Sequence, residues 1–307
     1  MAQTLEASRT TGGEAPRDHA RVPVSSEQAG TPTEPRPTAM VSSSLTDRTY
    51  RPSGASFRLD PAADALYEAF AGVELADEPS HCPHCVSDAD LAALRGPVRS
   101  LDPAVAAKLV RKVGRTWGGP TELRHATPRI LALAADHRLG VSRSLVWEQM
   151  RAARWTEWPT TEVEAIGRFL LAEFTRLLRV PPRPAHVAHR WLAQVSGGID
   201  DLSGFLTVWH DSIGPLPDPA IQQTAVAHLV ELLTTSPLRP DLPVTMADAF
   251  SRNPLAGPQV TAFLTGPGVD LDLRRAAAEL ADSSRSRRIN VAVERLRRFR
   301  AAVERAG

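Results

Sequence analysis

Cysteine and lysine are scarce in this sequence. Of its 307 residues only two are cysteine, Cys82 and Cys85, and of its 36 basic residues only two are lysine. Two cysteines so near each other would close too short a loop to stabilise a chain of this length, which excludes a secreted disulfide scaffold. Basic and acidic residues nearly cancel, 36 against 35, so the arginine content indicates the codon usage of a GC-rich genome more than a nucleic-acid-binding charge.

Long apolar segments are absent as well. No run approaches the roughly 20 apolar residues that a membrane helix requires. The first thirty residues carry several charges and lack the apolar segment of a secretory signal. We therefore expect a cytoplasmic protein without a membrane span.

The first part of the chain has few of the apolar residues that a core needs. Residues 1–57 are rich in Ser, Thr, Pro and Gly, and their apolar residues are isolated. Burial in such a segment cannot offset the entropy lost on ordering. The sequence predicts a disordered tail over 1–57, within which Met40 is an alternative to Met1 as the start of translation.

From residue 58 onward the pattern is helical. Apolar residues recur every three to four positions, as in Ile166, Leu170 and Phe174, and no segment shows the period of two that is typical of a strand. We predict an all-α protein of about ten helices in an irregular bundle or a short solenoid. The helical domain is expected to span 58–307, with a weak sub-boundary near 236–256, where prolines accumulate.

Two helix starts bear on the chemistry of the chain. Ser87 with Asp90 three residues later predicts a capping box at the start of a helix. Thr127 followed by Pro128 resembles a cap with proline in the first turn, which predicts a helix start there. On this interpretation His125 lies in a short polar segment between two apolar helices.

Both cysteines belong to the segment 81–85, His-Cys-Pro-His-Cys. Two thiolates separated by two residues can approach one tetrahedral ion from a tight turn, and Zn²⁺ takes four such ligands in structural sites. The positive end of the helix that is predicted to begin near Ser87 favours the thiolate form. The spacing predicts a zinc site at Cys82 and Cys85.

The remaining ligands of such a site must be histidines or carboxylates. We predict His125 as the third ligand, because a polar segment between apolar helices is accessible to a metal. The fourth is His81 or His84, taken as alternatives because neighbours in sequence rarely both reach one ion. A water molecule in the fourth position would instead give the open arrangement of catalytic zinc.

The cysteines also have two interpretations without a metal. They are either reduced thiols with no ligand, or a redox pair. The tetrapeptide Cys82-Pro83-His84-Cys85 resembles the active site of thioredoxin-fold thiol oxidases of the bacterial periplasm. That resemblance covers four residues and implies that Cys82 is the nucleophile of a βαβ fold, whereas no strand is predicted before it here.

A wider resemblance covers about a sixth of the chain, from Cys82 to about Leu133. It is to a group of bacterial helical proteins that share a Cys-x-x-Cys, a Trp-Gly after a helix, a His, and a Pro-Arg-hydrophobic segment. In this sequence these features are Cys82 and Cys85, Trp117-Gly118, His125, and Pro128-Arg129-Ile130-Leu131. The resemblance groups His125 with the cysteines and implies no known activity. Arg129 is then a candidate donor to a thiolate.

The C-terminal segment is strongly basic. Between residues 285 and 305 there are eight Arg against two Glu, on a helix whose apolar stripe is predicted to pack on the body. Its charged face either is solvated, which the lack of interleaved stacking aromatics favours, or binds nucleic acid, an acidic partner or anionic lipid. The arginines concerned are Arg285, Arg287, Arg288, Arg295, Arg297 and Arg298.

Two histidines further along the chain, His186 and His189, are three residues apart and are interpreted as partly buried side chains, because a metal site needs a converging set. The sequence as a whole predicts a zinc-stabilised helical interaction or scaffold protein with a protein partner. The alternatives are a metalloenzyme with an open Cys2His zinc, and a nucleic-acid or acidic-partner binder acting through the C-terminal arginines.

Overall fold

The computed structural model of the protein describes residues 59–77, 79–184, 186–216, 218–235, 250, 253–280 and 283–306. Within these residues there are twelve α-helices, two short 3-10 turns and no strand. The protein is therefore all-α, as predicted. The predicted tail over 1–57 and most of the predicted sub-boundary near 236–256 lie outside the described residues.

The helices differ widely in length, from eight to 23 residues. In chain order they are α1 Leu59–Ala69, α2 Asp88–Arg95, α3 Pro103–Lys112, α4 Pro120–Ala135, α5 Arg143–Ala152, α6 Thr160–Leu178, α7 Ala188–Val195, α8 Ser203–Ile213, α9 Pro219–Thr235, α10 Ala256–Thr265, α11 Pro267–Glu279 and α12 Ser284–Ala306. Among these helices, none combines the length and the apolar composition needed to cross a bilayer.

The predicted capping box at the start of α2 is present. The Ser87 hydroxyl accepts from the backbone N of Asp90, and the Asp90 carboxylate accepts from the backbone N of Ser87 at 2.8 Å. This reciprocal pair satisfies two of the amide groups that a helix start leaves without partners. It fixes the position at which the chain leaves the segment 81–85 and enters α2.

The helix start that was predicted at Thr127 is wrong. Helix α4 begins seven residues earlier, at Pro120, where the Glu122 carboxylate accepts from the backbone N of Gly119 at 2.6 Å. Pro128 lies inside the helix and is buried. A proline there removes one backbone hydrogen bond of the helix and its ring crowds the carbonyl four residues earlier. The Thr127 hydroxyl donates to the Leu123 carbonyl at 2.8 Å in the same turn. Burial of the surrounding side chains outweighs this local loss.

Helix α6 lies at the centre of the bundle and packs against α1, α7, α8 and α9. Phe174 on α6 is fully buried, and its ring lies 5.1 Å from that of Trp191, 5.7 Å from Phe205 and 6.1 Å from Trp209, measured between ring centroids. Burying an aromatic side chain of this kind stabilises a fold by about 1.5–3 kcal/mol. The cluster fixes α7 and α8 against α6.

The C-terminal helix α12 packs against α9, α10 and α11. The predicted apolar stripe is buried in these contacts, with Ile289, Val293, Leu296 and Phe299 each less than one tenth exposed. Arg295 donates to the Thr234 carbonyl at 2.6 Å, at the C-terminal end of α9. A cation at that end satisfies helix carbonyls that have no intrahelical partner.

Candidate functional site

The segment 81–85 is held by the backbone of the turn that follows α3. The backbone N of Cys82 donates to the Thr116 carbonyl at 2.9 Å, and the backbone N of Gly118 donates to the Ser80 carbonyl at 2.6 Å. His81 and Trp117 form an isolated antiparallel bridge between these two bonds. Two chain segments are thus joined without any side chain or ion.

The two cysteines face each other across a tight turn. The backbone N of Cys85 donates to the Cys82 carbonyl at 2.9 Å, and that of Val86 donates to the same carbonyl at 3.0 Å. Both thiols are half-buried, while Val86 belongs to the core. Helix α2 begins at Asp88, so its positive end lies just beyond the turn. The turn holds two thiols side by side at the protein surface.

The surroundings of Cys85 favour its thiolate. The hydrogen bond with the Cys82 thiol lowers the pKa of Cys85, partial burial opposes this, and Lys112 and Thr116 lower the pKa further. Lys112 is the last residue of α3 and Thr116 lies in the turn that holds the segment 81–85. A thiolate is the form that binds metal ions and that reacts with electrophiles and disulfides.

The two neighbouring histidines differ in their environment. The Nδ1 atom of half-buried His81 lies 2.9 Å from the Pro79 carbonyl oxygen, so it donates a hydrogen bond there. A neutral ring that donates from Nδ1 carries its lone pair on Nε2, which is the tautomer that metal-ligating histidines commonly present. His84 is exposed.

His125 lies on helix α4, not in a polar connection. Its Nδ1 atom lies 3.1 Å from the Val73 carbonyl oxygen, and its Nε2 atom lies 3.2 Å from the Leu94 carbonyl oxygen. The ring therefore bridges the end of α2 to the segment after α1. In this arrangement both nitrogens face backbone carbonyls, so a metal could use His125 only after one of these contacts is broken.

The predicted ligands do not converge in the described structure. No group of three or more His, Cys, Asp or Glu side chains among the described residues is placed to hold a metal ion. Arg129, the candidate donor to a thiolate, donates to the Leu101 carbonyl at 3.0 Å. The structure brings Cys82 and Cys85 together, and it adds Lys112 and Thr116, which the sequence did not indicate because they lie elsewhere in the chain, at the end of α3 and in the turn after it.

The arginines of α12 form an exposed surface. All six that the sequence singled out are exposed, namely Arg285, Arg287, Arg288, Arg295, Arg297 and Arg298. Several also have internal partners: Arg298 pairs with Glu294 at 3.0 Å, and Arg288 lies 3.5 Å from Glu231. Exposed pairs of this kind contribute little stability, so most of the positive charge remains directed to solvent.

A second cluster of polar side chains surrounds a cavity of about 420 Å³ between the end of α4 and helices α6 and α7. No local pattern in the sequence predicts it, because its residues come from three separate segments. We name it the Arg143 pocket. Its lining includes the basic and aromatic side chains His137, Arg143, Arg176, His186, Arg190 and Trp191, together with the carboxylates of Asp136 and Glu173.

His186 and His189, which are three residues apart in the sequence, lie in different environments. His186 precedes α7, and its ring packs edge to face on that of His137 with centroids 4.2 Å apart. His189 lies on α7, where burial, Arg190 and His228 lower its pKa to about 4. They do not share one site, because the helix begins only at Ala188.

Comparison with known proteins adds no further assignment: no protein-family model, no curated protein and no solved structure matches this chain.

Proposed function

We propose that this protein is a helical interaction protein in which Cys82 and Cys85 bind one Zn²⁺ ion at a surface turn. The observation that carries the proposal is the placement of two half-buried, hydrogen-bonded thiols on a turn that backbone hydrogen bonds hold to the turn following α3. Such a turn is already arranged for two of the four bonds that zinc forms. The Cys82 thiol and Lys112 lower the pKa of Cys85 and so favour the thiolate that a metal requires.

We propose His81 as the third ligand. Its Nδ1 atom is engaged by the Pro79 carbonyl, which leaves Nε2 as the ligand atom, and its ring would have to turn toward the thiols, because no three such side chains converge among the described residues. His84 is the alternative. His125 enters the site only if its contacts with Val73 or Leu94 are given up. A water molecule or a side chain of a partner completes the coordination.

The second candidate function is a reversible dithiol. It is favoured by the hydrogen bond between the two thiols and by the lack of a converging third ligand among the described residues. In that case glutathione disulfide, for example, would accept two electrons and two protons from Cys82 and Cys85 and leave as two glutathione thiols while the protein disulfide forms.

The deciding experiment is elemental analysis of protein purified without a polyhistidine tag, together with a titration of reactive thiols. We expect one zinc per chain and protected thiols, with both lost in Cys82→Ser and in Cys85→Ser. Loss of zinc in His81→Ala, with retention in His84→Ala and in His125→Ala, would assign the third ligand. His210→Ala, at an exposed histidine on α8, is the matched control.

A protein without metal and with two reactive thiols would reject the zinc proposal. A measured dithiol–disulfide potential within the range of cellular glutathione would then support the redox candidate. A potential far outside that range would leave the cysteines as plain structural thiols.

The exposed arginines of α12 are the surface on which an acidic partner would bind. The proposal predicts binding of a polyglutamate peptide that weakens as salt is raised and that is lost in Arg297→Glu/Arg298→Glu. Fluorescence anisotropy with a double-stranded DNA probe of the same charge provides the comparison. Tighter binding of the DNA would favour the nucleic-acid alternative and contradict the choice of a protein partner.

A further inference from the structure

We infer that the Arg143 pocket binds a small organic phosphate, with the phosphate group held by the arginines and histidines at the end of α4. The pocket is separate from the cysteine turn and does not depend on the function proposed above. Its volume of about 420 Å³ falls within the range of roughly 300–1,000 Å³ that small-molecule sites occupy.

The first argument is a small excess of positive charge, since three arginines line the cavity against two carboxylates, Glu173 and the exposed Asp136. Arg143 is neutralised by Glu173, at 2.5 Å. Arg176 and Arg190 line the same cavity, and neither has a carboxylate partner among the described residues. Arg176 donates to the Ala135 carbonyl at 2.8 Å, and Arg190 donates to the Pro184 carbonyl at 2.9 Å. A guanidinium has five N–H donors, so each retains donors for an anion.

The second argument is the backbone of His137. It has a φ of 57°, in the left-handed region that glycine normally occupies. Its backbone N donates to the Ala134 carbonyl at 3.2 Å, and the backbone N of Arg138 donates to the Leu133 carbonyl at 2.8 Å. These two bonds form the helix ending in which a glycine usually stands at the position of His137. A side chain kept at a strained position beside a cavity indicates a role for that side chain.

The third argument is the pairing of two imidazoles in a positive field. Partial burial lowers the pKa of His137, the neighbouring His186, Arg143 and Arg176 lower it further, and Asp136 opposes them. The two rings pack with their centroids 4.2 Å apart on the wall that they share with Arg143 and Arg176. A phosphate beside them would accept hydrogen bonds from the imidazoles and charge-assisted ones from the guanidinium groups, which are about twice as strong as neutral ones.

The remaining wall of the pocket suits the organic part of the ligand. Leu177, Val180 and Trp191 supply apolar surface, and the Arg143 guanidinium lies 5.8 Å from the centre of the Trp191 ring. The Trp191 ring N–H is buried and has no hydrogen-bond partner among the described residues. A ligand with a planar or apolar group beside its phosphate therefore fits better than inorganic phosphate alone.

A purely structural role for these residues explains only part of the arrangement. The guanidinium groups of Arg143 and Arg176 donate to the last carbonyls of α4, at Ala134 and Ala135, which satisfies that helix end. This role does not require Arg190, which lies on α7, or a non-glycine residue at position 137. Those two residues are accordingly the ones that distinguish a ligand site from a helix cap.

The test is a titration of the full chain with phenyl phosphate at constant ionic strength, followed by the NMR signals of the histidine ring protons. We expect saturable shifts of the His137 and His186 signals, weaker binding of inorganic phosphate, and no saturation with phenol. No saturation with phenyl phosphate up to about 10 mM, far above a typical metabolite affinity, would overturn the proposal. If phenol bound as tightly as phenyl phosphate, the cavity would recognise the apolar ring and not the phosphate, which would overturn the proposal as well.

Two variants assign the binding to the pocket. Arg190→Gln and His137→Gly should each weaken the binding of phenyl phosphate by about tenfold or more. His137→Gly should also keep or raise the melting temperature, because glycine adopts the left-handed conformation without strain. Arg168→Gln, at an exposed arginine elsewhere on α6, is the control and should bind normally. Unchanged affinity in both pocket variants would contradict the assignment.

Discussion

The side chains of Arg143 and Glu173 form an ion pair at 2.5 Å in which each is less than one tenth exposed. It joins the start of α5 to the C-terminal half of α6. Removing one partner of a buried pair leaves the other charge without compensation, which costs about 3–5 kcal/mol. We therefore expect Glu173→Ala to lower the free energy of unfolding by about that amount, measured by urea denaturation.

The matched control lies on the same helix. Glu164 pairs with Arg168 at 3.3 Å, and both side chains are more than one third exposed. Glu164→Ala should change the free energy of unfolding by less than about 1 kcal/mol, because solvent screens an exposed pair. Similar losses in the two variants would show that burial of the Arg143 pair contributes nothing particular.

Asp90 makes the stability of the protein depend on pH. Burial opposes its ionisation, but hydrogen bonds from Lys108 and Ser87 outweigh this effect and lower its pKa to about 2. In the unfolded chain the pKa of an aspartate is about 3.9. Since the folded value is the lower one, the stabilisation is complete above about pH 4 and is lost as the pH falls from there towards about pH 2.

The change that reveals this dependence is Asp90→Asn. At pH 7 it should lower the free energy of unfolding by about 2 kcal/mol, and the difference from the unchanged protein should shrink as the pH falls below about 4. Urea denaturation at a series of pH values measures both. Asp88→Asn, at an exposed position in the first turn of α2, is the control. If Asp90→Asn lowered the free energy of unfolding equally at every pH, the stabilisation would come from the capping geometry and not from the charge of Asp90.

The helix features that could be predicted from the sequence are those whose physical cause lies within a few neighbouring residues. The Ser87–Asp90 box forms between residues three apart, and the structure shows it as predicted. The stripe of α12 is likewise a property of one helix, and its burial follows from its spacing. Fold class depends on many such local signals, which explains why the all-α prediction is confirmed.

The errors arose where tertiary packing outweighed a local signal. Thr127-Pro128 resembles a helix start, yet packing of α4 tolerates the proline in its interior. His125 was consequently expected in a connection, and the structure places it on a helix with both ring nitrogens at carbonyl oxygens. Those carbonyls belong to Val73 and Leu94, and no sequence pattern predicts hydrogen-bond partners so distant along the chain.

The Arg143 pocket could not be predicted for a related reason. Its arginines are three among 34, counted as 36 basic residues less two lysines, and only the fold separates them from the solvated ones. The C-terminal end of α4 could not be predicted either, because His137 occupies the left-handed position at which a glycine usually indicates a helix end. The number of arginines in the sequence does not show which of them lie together in the fold.

Gly118, near the cysteine turn, should be one of the positions least tolerant of substitution by a residue with a Cβ atom. Its φ is 57°, and a Cβ atom there would lie 2.6 Å from the Glu122 side chain. That side chain is also the acceptor for the backbone N of Gly119. We expect Gly118→Ala to lower the free energy of unfolding by about 2–4 kcal/mol, of which about 1–2 kcal/mol is backbone strain.

Gly114 in the same turn separates the two contributions. Its φ is 72°, but a Cβ atom there would meet nothing within 4 Å. Gly114→Ala should therefore lose only the backbone contribution of about 1–2 kcal/mol. Thermal or urea denaturation of both variants provides the comparison, and equal losses would show that Glu122 moves aside without cost.

The reactivity of Cys85 is the most direct test of its electrostatic environment. The Cys82 thiol, followed by Lys112, lowers the pKa of Cys85, and alkylation requires the thiolate. In protein treated with a chelator, Cys82→Ala and Lys112→Gln should each slow the alkylation of Cys85 by iodoacetamide several-fold at pH 7. The midpoint of the rate against pH should move to higher pH in both.

Arg111→Gln is the control for net charge, because Arg111 is exposed and donates instead to the Gly140 carbonyl. It should leave the rate profile unchanged. If Arg111→Gln and Lys112→Gln slowed the reaction equally, the effect would come from the general positive charge at the end of α3. If neither slowed it, the thiolate would be stabilised by Cys82 and by the start of α2 alone, and Lys112 would have no part in the chemistry of the turn.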